Sequence, residues 1–454
     1  MMMGAVTGRF VRTRANTNEA FEIPAVQAAS LRGDGARAGG RVAPSWFRKT
    51  TLARAMRLGL ALFVLTATRL ALPAASSPAT PPPQPVDWRC RLSAADFHKS
   101  GDGEWTSRRV RAPFPFEELI YSWHPERPGD SFRLYLKARF SRKEETDWLY
   151  AGYWGEVAPL VTNRQPPAFD RGVLDMDWLK LKTPATAFQF KVVSAGRNPL
   201  RAPPSLTVIA TDNHPEAKVA RRWGARGKQE AAPARVLDVP LRRQFDSQGQ
   251  RMRDRCQSAA LASAMEYYGQ SVPLERITAL TYDPEYGYPG IWPRVIAAAR
   301  EFGFDGYLDR FRDWPRVRQA LAENKILLCS IRLRAGQCQA PPYASMGNHI
   351  VALCGVTDDG RVVVTDSALG RSGTGYLCQW LQPDFEKVWM ETKGGVAMVI
   401  CPPVGAGMRQ VEKLPPFPSD RAFPAGITGG DFLQLHPAQS RAKVINAVVI
   451  AEGN

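Results

Sequence analysis

The chain has 454 residues, enough for two ordinary domains plus tails, and it is 44% hydrophobic and 23% charged, the composition of a soluble globular protein. Sixty Lys+Arg against 43 Asp+Glu give a formal charge of +17, which favours anionic partners such as acidic wall polymers, lipid headgroups or nucleic acid without choosing among them. Seven cysteines are too few for a disulfide scaffold of this length, CxxC-type metal spacings are absent, and no basic helix interleaves with aromatics.

Residues 1–55 are rich in Gly, Ala and Arg, lack periodicity and read as a disordered basic extension. The apolar stretch that follows, from Met56 to about Ala75, has a basic flank, a short apolar core and small residues, the pattern of a secretory signal. Arg69 interrupts it, so it is short for a transmembrane helix, and no stable transmembrane domain is expected. An N-terminal anchor is the alternative. Met56 is read as the true initiator and the mature protein as extracytoplasmic, secreted or periplasmic. A Pro-rich linker runs to residue 85.

Residues 86–212 alternate short strand patterns with Gly, Pro, Asn and Asp punctuation, as at residues 132–140, 147–155 and 188–193. They predict an all-β sandwich. Six tryptophans in this region (Trp88, Trp105, Trp123, Trp148, Trp154, Trp178) read as core and rim residues, with a sugar- or peptide-binding platform as the alternative. Residues 213–235 are polar and basic and read as an interdomain linker.

From residue 236 the pattern changes to mixed helix and strand. Ala260, Leu261, Ala264, Met265 and Tyr268 recur at helical spacing after Cys256, and Gly269 supplies a stop. Helices are predicted at 292–302 and 314–323, and strands at 325–333, 349–356, 361–366 and 395–400. A hairpin at Asp358-Asp359-Gly360 joins two of them. Helices before an antiparallel sheet give an α+β layout for residues 236–402. The Pro/Gly-rich remainder, 403–454, reads as a tail.

The chemistry concentrates here. Cys256 opens a helix, whose N-terminus stabilises a thiolate. His349 is the sole histidine from residue 215 to 435, and it begins a strand. Asp366 ends the next strand, placed to fix the imidazole tautomer. Gln244, Gln248 and Gln250 are candidate side-chain amides for an oxyanion hole. Cys329 and Cys354 read as core thiols or a disulfide, and the segment Gly370 to Gly375 as a flexible loop rather than a phosphate loop. With so few histidines, neither metal nor cofactor is expected.

The segments Val239 to Asp246, Cys256 to Gly269 and Gly347 to Asp366, with Glu386 to Ile400 closing the domain, resemble the bacteriocin-processing (double-glycine) cysteine peptidase superfamily over about residues 236–402. The resemblance implies a papain-like fold with Cys256 as nucleophile, His349 as general base, Asp366 as its orienter and Gln244 as oxyanion donor, with Gln250 as the alternative. Two positions depart from the family's usual pattern: Gln257 follows the cysteine and Ser367 follows the aspartate. The membrane and ATPase domains of the family's transporters are not visible. The expectation is therefore an exported cysteine peptidase that cleaves a peptide or protein substrate through a thioester. An inactive peptide- or glycan-binding relative and an acyl-transfer enzyme are the alternatives. An anionic cell-surface polymer is a further expected partner, and a specific nucleic acid is not.

Overall fold

The computed structural model describes residues 84–411 apart from 162–163, 165, 167, 198, 225–231, 246–251 and 369–376, together with 414. The basic extension, the signal-like stretch, most of the tail, Gln248, Gln250 and the Gly370 to Gly375 loop lie outside the described residues. No helix among the described residues is long and apolar enough to cross a membrane.

The N-terminal region is a ten-stranded sheet. Its strands are β1 (Val86–Leu92), β2 (Phe97–Gly101), β3 (Glu104–Ser107), β4 (Val110–His124), β5 (Phe132–Arg139), β6 (Leu149–Trp154), β7 (Ala168–Phe169), β8 (Gly172–Asp175), β9 (Trp178–Ser194) and β10 (Ser205–Asp212). All ten join in one ladder, because the long strands β4 and β9 each serve several neighbours along their length. The alternation that predicts strands also fills the core. In β5, Phe132, Leu134, Leu136 and Ala138 are fully buried while the residues between them are half-buried. Trp123 and Trp154 belong to this core, and Trp88, Trp105 and Trp178 pack against it. The stretch after β10 is not featureless, since α1 (Ala217–Trp223) sets Trp223 edge-on against Phe114.

The C-terminal region holds a seven-stranded sheet of order β12-β17-β13-β14-β15-β16, with β11 (Arg235–Val236) on β14. These strands are β12 (Gly306–Arg310), β13 (Ile326–Leu333), β14 (Met346–Val356), β15 (Arg361–Thr365), β16 (Leu377–Leu381) and β17 (Val396–Ile400). Helices α2 (Cys256–Tyr267), α3 (Leu274–Thr281), α4 (Trp292–Glu301), α5 (Trp314–Ala322) and α6 (Gln382–Glu386) accompany them. Gly355 is obligatory where β11 crosses β14, because a Cβ there would lie 2.6 Å from Val236.

Helix α2 differs from the expected single buried face. Eleven of its twelve residues are buried, so it runs through the interior rather than over a surface. Small residues on every side, Ser258, Ala259, Ala262 and Ser263 among them, let α3 and β14 approach closely. Helix α4 is placed more unusually. It packs on β12 and β17 of its own sheet and also on β4 of the N-terminal sheet.

The described residues belong to one compact unit, and charge as well as packing joins its two regions. Arg89 meets Asp309 at 2.6 Å, Arg310 meets Glu118 at 2.5 Å and Arg312 meets Asp87 at 2.8 Å. Glu285, fully buried, takes hydrogen bonds from the Tyr150 hydroxyl at 3.0 Å and the Leu160 N–H at 2.8 Å, and it pairs with Arg164 at 3.4 Å. Isolated, such a carboxylate would be very costly to bury, and three donors offset that cost.

Candidate active site

Cys256 is the first residue of α2 and is almost wholly buried. The turn before it is tight, with Asp254 at φ 57°, so the chain enters the helix abruptly and delivers the sulfur at its positive end. His349 stands in β14 opposite Ile331 of β13, and Asp366 follows the last residue of β15. Because β14 and β15 are adjacent antiparallel strands, the two residues come from facing strand ends.

His349 Nε2 and Asp366 Oδ1 are 2.7 Å apart, and both side chains are inaccessible to solvent. The ring's Nδ1 is thereby left for a proton donor on the other side, and the Cys256 side chain interacts with this same imidazole. Burial works against a charged imidazole. The Asp366 charge and hydrogen bond, followed by Cys256, more than offset it and raise the His349 pKa to about 10. Asp366 is affected in the reciprocal sense. Burial would raise it, but the His349 charge and hydrogen bond, the Ala368 N–H at 2.9 Å and the Tyr343 hydroxyl at 3.3 Å hold it below the usual carboxylate range.

Gln244 is buried beside this group. Its Nε2 donates to the Met252 carbonyl at 3.2 Å, and its Oε1 accepts the Ser367 hydroxyl at 2.7 Å. One amide proton is left over. The structure thus joins His349 and Asp366 directly, brings Cys256 to the same ring, and ties Gln244 to the Asp366 strand through Ser367.

Two groups at this site carry no reading from the sequence, and a third, Gln257, entered only as a departure. Tyr343 braces Asp366, and only its place before the histidine strand marked its loop. Gln257, noted as a departure, is fully buried. Its Nε2 donates to the Asp254 and Pro289 carbonyls, while its Oε1 lies 3.4 Å from the Cys256 sulfur. Tyr288 is close enough for the Cys256 charge to act on its hydroxyl, whose pKa burial first and then Cys256 raise to about 12. Gly290 makes room for that ring, since a Cβ there would lie 1.9 Å from it.

Residues 236–397 match the Peptidase C39 like family, and residues 90–211 match the Peptidase C39 N-terminal domain. No curated protein matches the chain significantly. Two solved structures align at 15% identity each. One is a protein from Bacillus anthracis described as C39-like, covering 37% of this chain and 98% of its own at a TM-score of 0.30. The other is the peptidase domain of Streptococcus ComA, a bi-functional ABC transporter involved in a quorum-sensing pathway, covering 36% and 99% at a TM-score of 0.25. Over residues 236–397, the chain is similar to the C39-like peptidases.

Proposed function

We propose that the protein is an exported cysteine peptidase whose residues 236–402, in a papain-like arrangement, cleave peptide bonds through Cys256, His349 and Asp366. The observation that carries this reading is the buried 2.7 Å pair of His349 and Asp366, with the helix-start Cys256 on the same imidazole. A buried ion pair of this kind is expensive to maintain and contributes little to stability, so it points to chemistry.

In this mechanism His349 takes the Cys256 proton, and the sulfur attacks the peptide carbonyl carbon. The oxyanion that forms is met by the remaining Gln244 amide proton and by the backbone N–H at the start of α2. As the tetrahedral species collapses, the C–N bond breaks and His349 gives its proton to the departing amine, leaving a thioester on Cys256. Water, deprotonated by the same imidazole, then attacks the thioester, releasing a carboxylic acid and the free thiol. Asp366 keeps the ring in one tautomer and supports its positive form throughout.

Gln257 favours a second reading, an inactive relative that only binds peptides or glycans. Its Oε1 lies 3.4 Å from the Cys256 sulfur and competes with His349 for the thiol proton. One experiment separates the two. The wild-type chain and Cys256→Ala are compared for iodoacetamide-sensitive hydrolysis of a peptide library, with mapping of the alkylated cysteine. Hydrolysis that persists in Cys256→Ala, or a Cys256 no more reactive than the other thiols, removes the peptidase reading.

A further inference from the structure

Two cations near His349 form no ion pair among the described residues. Asn348, exposed and immediately before His349, accepts a hydrogen bond from Lys393 Nζ at 3.2 Å. Arg332 lies on β13 one residue past Ile331, the partner of His349, and is exposed between two buried neighbours. The β13–β14 register shifts at this position, and the Arg332 charge acts on Lys393. Among the described residues neither Lys393 nor Arg332 forms an ion pair, whereas Arg89, Arg310, Arg312 and Arg316 all meet carboxylates.

The N-terminal sheet reaches the same place. Its β8–β9 hairpin turns through Met176 at φ 57°. Asp177 Oδ2 accepts the Trp292 N–H at 2.8 Å, and the Trp178 ring stands 6.1 Å from that of Trp292. The Arg310 guanidinium also stands over Trp178, 5.1 Å from the ring centre, and Gly394, next to Lys393, lies against Arg310. The hairpin thus sits between the turn that carries Tyr288 and the turn that carries Lys393. Burial, then Arg332 and Lys180, hold the Lys393 ammonium below its usual range, with Asp177 and Asp175 acting against them. Asp175 is itself engaged by Lys180 at 2.7 Å.

Direction follows from the chemistry. His349 must protonate the departing amine, so the substrate segment beyond the scissile bond runs past His349 towards Asn348 and Lys393. We propose that Lys393 and Arg332 form an anion subsite on the leaving-group side of the cleft, which takes a substrate carboxylate shortly after the scissile bond. The inference rests on the peptidase reading above. The carboxylate is either a free C-terminus or an acidic side chain.

Three affinity reagents test it without a known substrate: bromoacetyl-Gly-Gly as the free acid, the same dipeptide as its amide, and bromoacetyl-Gly-Glu amide. In each, the Cys256 sulfur forms the S–C bond and bromide leaves. At least one anionic reagent should alkylate Cys256 about ten-fold faster than the neutral amide, as expected for one charge-assisted contact. In Lys393→Met and Arg332→Met that ratio should fall towards one, and Lys393→Arg should keep it. The faster of the two anionic reagents identifies the carboxylate's source. Equal rates for all three reagents, or a ratio unchanged in Lys393→Met, overturn the subsite while leaving the peptidase reading intact. A Cys256 that reacts with none of them faster than the other thiols overturns both.

Discussion

The Ser367 hydroxyl is bonded to the Gln244 side-chain oxygen at 2.7 Å, one residue after the aspartate that holds His349. The base-orienting strand and the proposed oxyanion donor are therefore coupled through a single side chain, at a position where the resembling family usually has proline. Without this hydroxyl the Gln244 amide could turn over and present its oxygen to a developing oxyanion.

Ser367→Ala should accordingly lower kcat about ten-fold with little change in KM, because the lost contact matters only once the oxyanion exists. Ser367→Thr should retain the activity. Steady-state kinetics on both variants, beside melting curves, decide it. A change in KM alone would place Ser367 in substrate binding instead.

The pH dependence follows from His349. Its folded pKa, about 10, lies above the ordinary 6.5. The pairing with Asp366 therefore contributes fully below 6.5 and is lost as pH rises through about 10. Activity should persist into alkaline solution, with the basic limb of kcat/KM near pH 10. Asp366→Asn should bring that limb down towards 6.5 and slow turnover roughly 10²–10⁴-fold.

Asp177 gives the same sign in a lower pH window. Burial first of all raises its carboxyl to about 7 from an ordinary 3.8, so the native protein prefers it protonated, and stability falls as pH climbs from about 4 through 7. Asp177→Asn keeps an acceptor for the Trp292 N–H and removes the charge. Urea unfolding should show the variant more stable above pH 7, by at most about 4 kcal/mol, and equal to wild type near pH 3. A variant that is less stable at every pH would show that the Trp292 contact needs the carboxylate.

Glu285→Ala should be severe. It removes the acceptor of Tyr150 and the Leu160 N–H and leaves the buried Arg164 without its carboxylate. A loss of roughly 3–5 kcal/mol is expected from chemical denaturation, read by probes in both sheets.

Much of this was legible in one dimension because its causes are local. The strand at 132–140 alternates because one of its faces is core, and the apolar spacing from Ala260 to Tyr268 falls on α2. Cys256 and Asp366 could be selected because each sits at the boundary of a regular element, whereas His349, read as opening its strand, is the fourth residue of β14. The breadth of α2's burial was not legible, since small residues such as Ala259 and Ser263 look alike on a surface and in a core. Neither was the Glu285 network. Its partners lie more than a hundred residues away, and nothing at Tyr150 or Arg164 announces a distant carboxylate. The hairpin at Met176 reads as an ordinary turn until the fold sets it against Trp292.

Helix α4 carries a consequence for how the gene can be cut or shuffled. Its alanines are covered on one side by β12 and β17 and on the other by β4, so neither half can be inherited or expressed without a substitute for the other. A truncated clone starting near residue 235 would present a greasy seam and unneutralised arginines to solvent, and precipitate. Recombination that swaps specificity among relatives must therefore move both halves together.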